Sequence, residues 1–210
     1  MGSEMCIRDR FMLFNRDELL RRARTVRSFA MDSLSPVNES IPSRVPVASI
    51  HPTQTFDIFL SHRYEDRDAV KGLADELVND FKYSVYIDWI VDPSLDRSKV
   101  NGRTAEILRN RLSHSRCLWY VTSDDSAASK WMPWETGFAD GKTGRVAICP
   151  LVSGQKTTFT GVEYLSMYPY VDRCKAKGSD KVSLWINESI GVYCSFDKWL
   201  NENSNPVVHK

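Results

Sequence analysis

The sequence predicts an α/β fold in which a parallel sheet carries helices on both faces. The first observation is the order strand, helix, strand, helix, strand, helix, strand between residues 56 and 152, which is typical of βαβ units. The second is that the predicted strands are nearly continuous apolar runs, as parallel strands covered on both faces are. Sheets of this kind bind ligands at the carboxyl ends of their strands.

Each element follows from a local pattern. Short apolar runs with polar borders predict four strands, at residues 56–61, 84–88, 117–122 and 145–152. Apolar residues at helical spacing predict the intervening helices, at residues 65–81, 104–112 and 129–140. Beyond residue 153 the pattern weakens, and it predicts two further strands and a closing helix: 162–171, 181–187 and 195–202.

Three segments ahead of the sheet differ in composition. Residues 1–10 follow no structural pattern and are interpreted as a non-native leader. Residues 11–32 predict an N-terminal helix whose arginine-rich face is either a solvated surface or a docking surface for an acidic partner. Residues 33–55 hold four prolines and many Ser and Thr residues, which predicts an extended linker. The folded domain is then expected to span residues 56–205.

Composition and charge exclude several classes of protein. The chain has 210 residues, and its 28 Lys and Arg residues nearly balance 27 Asp and Glu residues, so a general nucleic-acid binder is not expected. No apolar run approaches the roughly 18 residues of a membrane span. The five cysteines form no Cys-x-x-Cys pair, and with four histidines no metal site is expected. Cys117 and Cys149 lie in apolar runs, and buried thiols of this kind fit a reducing cytoplasm.

The stretch SKWMPWETGFAD, residues 129–140, places two tryptophans and a proline around Glu135. Because proline is tolerated only in the first turn of a helix, Pro133 predicts that Glu135 lies close to a helix start. The positive end of the helix dipole stabilises an anion there. From the local sequence, both a helix-start charge and a catalytic carboxylate remain open interpretations of Glu135.

Further candidate residues lie where the first two predicted strands end. Ser61, His62 and Arg63 follow one strand, and Asp88 and Trp89 follow the next. Taken singly, a loop arginine and a core tryptophan are ordinary structural residues. Because carboxyl ends of parallel strands share one edge of the sheet, we expect these side chains to lie near Glu135 and near a phosphate-bearing ligand.

Four motifs in order resemble a bacterial Toll/interleukin-1 receptor (TIR) domain, and in particular the NAD+-processing (Thoeris-like) TIR proteins of antiphage defence. They are FDIFLSH from residue 56, YIDW from 86, CLWYVTSD from 117 and SKWMPWE from 129. The resemblance implies a flavodoxin-like parallel sheet, in agreement with the pattern of elements.

The resemblance also implies an activity and a set of site residues. The expected activity is that of an NAD+ glycohydrolase or ADP-ribosyl cyclase, which cleaves the nicotinamide–ribose bond of NAD+ as substrate, without a cofactor or metal. Glu135, four residues after a tryptophan, matches the catalytic glutamate. The residues implied to bind substrate are Ser61, His62, Arg63, Asp88, Trp89 and Trp131.

The same resemblance implies partners and leaves alternatives open. It implies self-association through the TIR domain, with the long loop Ile90–Arg103 in contact with a neighbour. Because one TIR domain uses nearly all of the chain after the N-terminal helix and linker, we also expect a diffusible product that a separate effector detects. One alternative is a non-catalytic TIR interaction module, in which Glu135 has no chemical role. Another is an N-glycosidase that acts on free nucleotides or nucleosides, because fold alone does not fix function.

Overall fold

The described part of the chain forms a mixed sheet with helices on both faces. The computed structural model describes residues 12–32, 53–91, 101–123, 129–154, 159, 161, 163–176 and 179–209. The side chains of residues 26–32, Trp89 and Val91 lie outside this description. The leader predicted at residues 1–10 and most of the linker predicted at 33–55 also lie outside it, so both stay predictions.

The strands of the described residues all join the same sheet. In chain order they are Phe14–Asn15 (β1), Phe56–Ser61 (β2), Val85–Tyr86 (β3), Ser115–Ser123 (β4), Val146–Val152 (β5), Tyr170–Lys175 (β6), Val182–Ser189 (β7), Val192–Ser195 (β8) and Val207–Val208 (β9). Their spatial order is β3-β2-β4-β5-β6-β7-β8-β9, and β1 pairs with β5.

The part of the sheet from β3 to β6 is parallel, as the sequence predicts. If β2 is counted as the first strand of this set, the spatial order is 2-1-3-4-5, which is that of flavodoxin-like folds. The predicted strands at 56–61, 117–122 and 145–152 agree closely with β2, β4 and β5. The predicted strand at 84–88 is shorter in the structure, because β3 is an edge strand that pairs with β2 through only two residues.

Beyond β6 the sheet becomes antiparallel, whereas the sequence pattern after residue 153 predicted further strands without a direction. Strands β6 to β9 pair in antiparallel fashion. The connections from β6 to β7 and from β7 to β8 are too short for the crossover that parallel neighbours need. Gly191, at φ +81°, allows the tight turn into β8. The strand predicted at 162–171 is also wrong in its first half, where residues 163–167 form a 3₁₀ turn and Pro169 has no N–H to donate.

The helices lie between the strands in the predicted order. They are Arg16–Asp32 (α1), Arg67–Asn79 (α2), Asp88–Val91 (α3), Gly102–Ser113 (α4), Met132–Thr143 (α5) and Phe196–Asn201 (α6), and a 3₁₀ turn, Tyr64–Asp66, precedes α2. The predicted helix at 129–140 starts three residues later in the structure, because Trp131 is its N-cap residue and Pro133 lies in its first turn. None of the helices in the described ranges is long and apolar enough to cross a membrane.

Alternate strand residues divide the core into two layers. On one face, Ile58 and Trp119 pack with Leu73 of α2. On the other face, Phe59 packs with Leu108 of α4 and with the aromatic start of α5. Both faces of the sheet are therefore covered, which explains why the strands are continuous apolar runs in the sequence.

The N-terminal segment is part of this core, so the domain boundary predicted at residue 56 does not separate α1 from the sheet. The helix predicted at 11–32 starts at Arg16, and β1 precedes it and pairs with the carboxyl end of β5. Phe14 is fully buried 6.2 Å from the ring of Trp119, and Leu19 is also buried. A strand of two residues is too short to show a period in the sequence.

Ionic contacts attach α1 to the rest of the domain. Arg22 donates hydrogen bonds to Asp75 at 2.5 Å and to Asp80 at 2.7 Å, both near the second half of α2. Thus Arg22, on the arginine-rich face, binds α2, whereas the sequence allowed only a solvated surface or an external acidic partner. Arg173 of β6 likewise bridges Glu18 of α1 and Glu76 of α2, at 2.5 Å from each.

Candidate active site

The carboxyl ends of β2, β3 and β4 meet at one edge of the sheet, and the helix start that carries Glu135 lies beside them. Trp131 caps α5, and its carbonyl accepts a hydrogen bond from the backbone N–H of Glu135 at 2.9 Å. This geometry places Glu135 one turn after Trp131, near the positive end of the helix dipole. The side chain of Glu135 is fully buried, at 0% exposure.

Ser61, the last residue of β2, contacts Glu135 directly. Its hydroxyl donates a hydrogen bond to Oε2 of Glu135 at 2.5 Å, and both side chains are fully buried. A hydrogen bond to an ionised carboxylate is stronger than one between neutral groups. Ser61 therefore fixes the orientation of the carboxylate, a role that the sequence did not predict when it placed Ser61 among the substrate-binding residues.

His62 and Asp88 face each other across the ends of β2 and β3. Nδ1 of His62 lies 2.9 Å from the carbonyl oxygen of Leu60, which can only accept, so this nitrogen carries the proton. The other ring nitrogen, Nε2, lies 3.9 Å from Oδ1 of Asp88. Both side chains are buried. The predicted proximity of these two strand ends is therefore present in the fold.

The guanidinium of Arg63 forms hydrogen bonds with side chains of this domain. Its guanidinium donates to Asp66 at 2.9 Å and to the hydroxyl of Ser123 at 2.8 Å, and Ser123 donates to Asp66 at 3.1 Å. This buried triad joins the end of β2 to the end of β4. Asp66 was not predicted as a site residue, because it belongs to no motif. Ser123 was predicted only as part of the CLWYVTSD motif at the end of its strand, and the fold brings the two together.

Aromatic side chains surround the start of α5. The rings of Trp131 and Trp134 pack edge to face at 5.7 Å, and Trp134 stacks on Phe138 at 5.9 Å. Trp131 is buried against the core, and the role in substrate binding that the resemblance implies for it stays a prediction. Trp89 falls within α3, but its side chain lies outside the described residues, as does most of the predicted loop Ile90–Arg103.

Tyr120 of β4 is a further residue of this neighbourhood that sequence reasoning missed. It pairs in register with Ser61 of β2. Burial raises the pKa of Tyr120, as do its hydrogen bond with Tyr164 and, to a smaller extent, the nearby charge of Glu135. A tyrosine in the middle of an apolar strand gives no local signal that it lies near a carboxylate.

These observations agree with a comparison with known protein families. The sequence model of the TIR domain matches residues 58–182, which is more than half of the chain. The chain belongs to the TIR domain family. The matched range starts within β2 and ends as β7 begins, so β1, α1 and most of the antiparallel part of the sheet lie outside it.

Two curated relatives of this TIR domain are named for the same kind of product. A Bacillus cereus (strain MSX-D12) protein named as a probable 3' cyclic ADP-D-ribose synthase, ThsB', is 42% identical over 149 residues, which cover 70% of this chain and 77% of the relative. A Cytobacillus dafuensis protein named as a putative cyclic ADP-D-ribose synthase, TIR2, is 27% identical over 107 residues. That match covers 50% of this chain and 28% of the relative.

Proposed function

We propose that this TIR domain cleaves NAD+ at the nicotinamide–ribose bond and converts the remaining ADP-ribose into a cyclic signalling product. The observation that carries the proposal is the buried carboxylate of Glu135, held by Ser61 at the carboxyl edge of the sheet. The name of the Bacillus cereus relative supports the cyclic product. The resemblance to antiphage TIR proteins supports a role of this product in antiphage defence.

A single carboxylate is sufficient for the cleavage step. The bond between the ribose carbon and the nicotinamide nitrogen breaks, and its electron pair leaves with the nitrogen, which becomes neutral. No general acid is therefore required. The ribose carbon becomes an oxocarbenium-like cation, as in other glycosidic cleavages. A carboxylate that is fixed in place before the reaction stabilises this developing charge without reorganisation.

Cyclisation follows if a hydroxyl of the same molecule attacks the cation in place of water. The new bond joins that oxygen to the ribose carbon, and the proton of the hydroxyl passes to Glu135 or to water. Such an attack is effectively intramolecular and can outcompete water when the two ends are held close together. The burial of Glu135 and the aromatic side chains Trp131 and Trp134 support a site from which water is excluded.

The rival interpretation, a non-catalytic interaction module, does not account for Glu135. Burial of a carboxylate costs free energy, and a module that acts through its outer surface gains nothing from it.

The cysteines fit a reaction in the cytoplasm. Cys117 and Cys149 carry free, buried thiols, as is usual for proteins of a reducing compartment. Burial raises the pKa of both thiols and keeps them unreactive.

The expected products of purified protein with NAD+ are nicotinamide and a compound lighter than linear ADP-ribose by one water. Chromatography with mass spectrometry identifies both, and authentic linear ADP-ribose serves as the reference. Linear ADP-ribose alone would remove the cyclisation step and leave NAD+ cleavage standing. Release of free base from AMP or adenosine, without any nicotinamide from NAD+, would instead support the N-glycosidase alternative.

We also propose that association of TIR subunits makes the site accessible and that a separate effector detects the product. The support is that Glu135, Ser61, His62 and Asp88 are all buried in this conformation, so a dinucleotide reaches the carboxylate only after part of the chain moves.

The expected result is that specific activity rises as protein concentration increases from nanomolar to high micromolar. Light scattering measures association in the same samples. A rise in specific activity that follows the fraction of associated protein is then attributed to association. Constant specific activity from a monomer over the whole range would contradict the role of association.

A further inference from the structure

A groove lies between the first turns of α4 and α5, next to the Ser61–Glu135 pair but separate from it. Its volume is about 370 Å³, which is within the range of small-molecule sites. Gly102 and Ala105 of α4 form one side, and Trp131 and Trp134 at the start of α5 form the other. Trp131 lines the groove and precedes Glu135 by one helical turn.

The groove offers an aromatic surface whose orientation is fixed. Trp134 is only partly buried, so part of its ring faces the groove. Its contacts with Trp131 and Phe138 hold the ring in place. Indole rings held in this way are surfaces on which nucleobases stack, because every base has a flat π face.

The charge of the groove is positive. Arg109 and Lys130 both line it and both are exposed. Within the described ranges, no carboxylate lies within ion-pair distance of either residue. The guanidinium of Arg109 lies 5.9 Å from the ring centroid of Trp134, near the outer limit of a cation–π contact. The first turn of α4 carries no acidic residue, and the positive dipole ends of both helices face this region.

We propose that this groove binds the adenosine diphosphate portion of a nucleotide, with the base against Trp134 and the phosphates at Arg109 and Lys130. An aromatic surface beside two cations matches a ligand that joins a flat ring to phosphate groups. The proposal rests on the proposed function for the source of this ligand, since NAD+ contains an ADP moiety. The same chemistry also fits a separate adenine nucleotide, and the experiment distinguishes the two sources.

The test measures binding of ADP by isothermal titration calorimetry to protein that carries Glu135→Gln, so that no turnover interferes. ADP is expected to bind at one site per chain. Adding Arg109→Ala is expected to raise the Kd about tenfold, as the loss of one charge-assisted contact does. Lys142→Ala is the matched control, because Lys142 is an exposed cation at the far end of α5 that does not line the groove. It is expected to leave the Kd within about twofold.

Equal ADP affinity of the Arg109→Ala and Lys142→Ala proteins, or no ADP binding at millimolar concentration, would overturn the proposal. Kinetics on the Glu135 protein then identify the source of the ligand. A higher KM for NAD+ with little change in kcat in Arg109→Ala assigns the groove to the ADP half of the substrate. An unchanged KM assigns it to a separate nucleotide. Because ADP binding requires no turnover, the calorimetry decides the proposal even if the protein does not cleave NAD+.

Discussion

Substitution of Glu135 by glutamine is expected to reduce NAD+ cleavage by about 100- to 1,000-fold, the loss typical of one fixed electrostatic group at a reacting centre. Glutamine keeps the size of the side chain and an oxygen that accepts the hydrogen bond of Ser61. It removes the charge that stabilises the ribose cation. Nicotinamide release, measured by chromatography at saturating NAD+, gives the rate.

The Glu135→Gln protein is expected to fold with undiminished stability. Removal of a fully buried charge also removes its desolvation cost, so the melting temperature of Glu135→Gln is expected to equal or exceed that of the unchanged protein. Glu202→Gln is the matched control, because Glu202 is exposed after α6, and its rate should not change. Near-normal turnover by a folded Glu135→Gln protein would refute the catalytic assignment.

Substitution of Gly72 by alanine is expected to destabilise the domain by about 2 kcal/mol or more, although alanine is ordinarily the better helix former. Gly72 lies in α2, where a Cβ atom would lie 2.0 Å from the carbonyl oxygen of Leu19 in α1. The obstacle is backbone, which cannot rotate away as a side chain can. The melting temperature, measured by thermal unfolding, is expected to fall by roughly 5 to 10 °C.

Gly137→Ala is the matched control for this prediction. Gly137 also lies inside a helix, α5, but a Cβ there meets no atom within 4 Å. Alanine at this position is expected to stabilise the protein by about 0.5–1 kcal/mol through helix propensity. Equal or higher stability of Gly72→Ala would show that α1 does not pack against α2 as described.

The start of α5 separates what the local sequence predicts from what it does not predict. Pro133 restricts where the helix begins, and four residues separate Trp131 from Glu135, so the position of this glutamate close to a helix start follows from the chain alone. Whether the carboxylate is buried does not follow, because the side chain of Ser61 that holds it lies 74 residues earlier. Likewise, the sequence indicated Arg63 as a candidate ligand of phosphate, whereas the fold surrounds it with Asp66 and Ser123.

The sequence by itself determined the order of the βαβ units and the edge of the sheet at which the candidate residues gather. Both depend on periodicities within single segments, and parallel strands place their carboxyl ends together whatever the details of packing. Only the tertiary structure decided that β1 and α1 belong to the core, that β7, β8 and β9 each run antiparallel to the preceding strand, and that Ser61 orients Glu135. The physical reason is that strand pairing and buried hydrogen bonds form between segments that are distant in the sequence. Which segments pair depends on the apolar surface that each must bury and on the polar groups that each must satisfy.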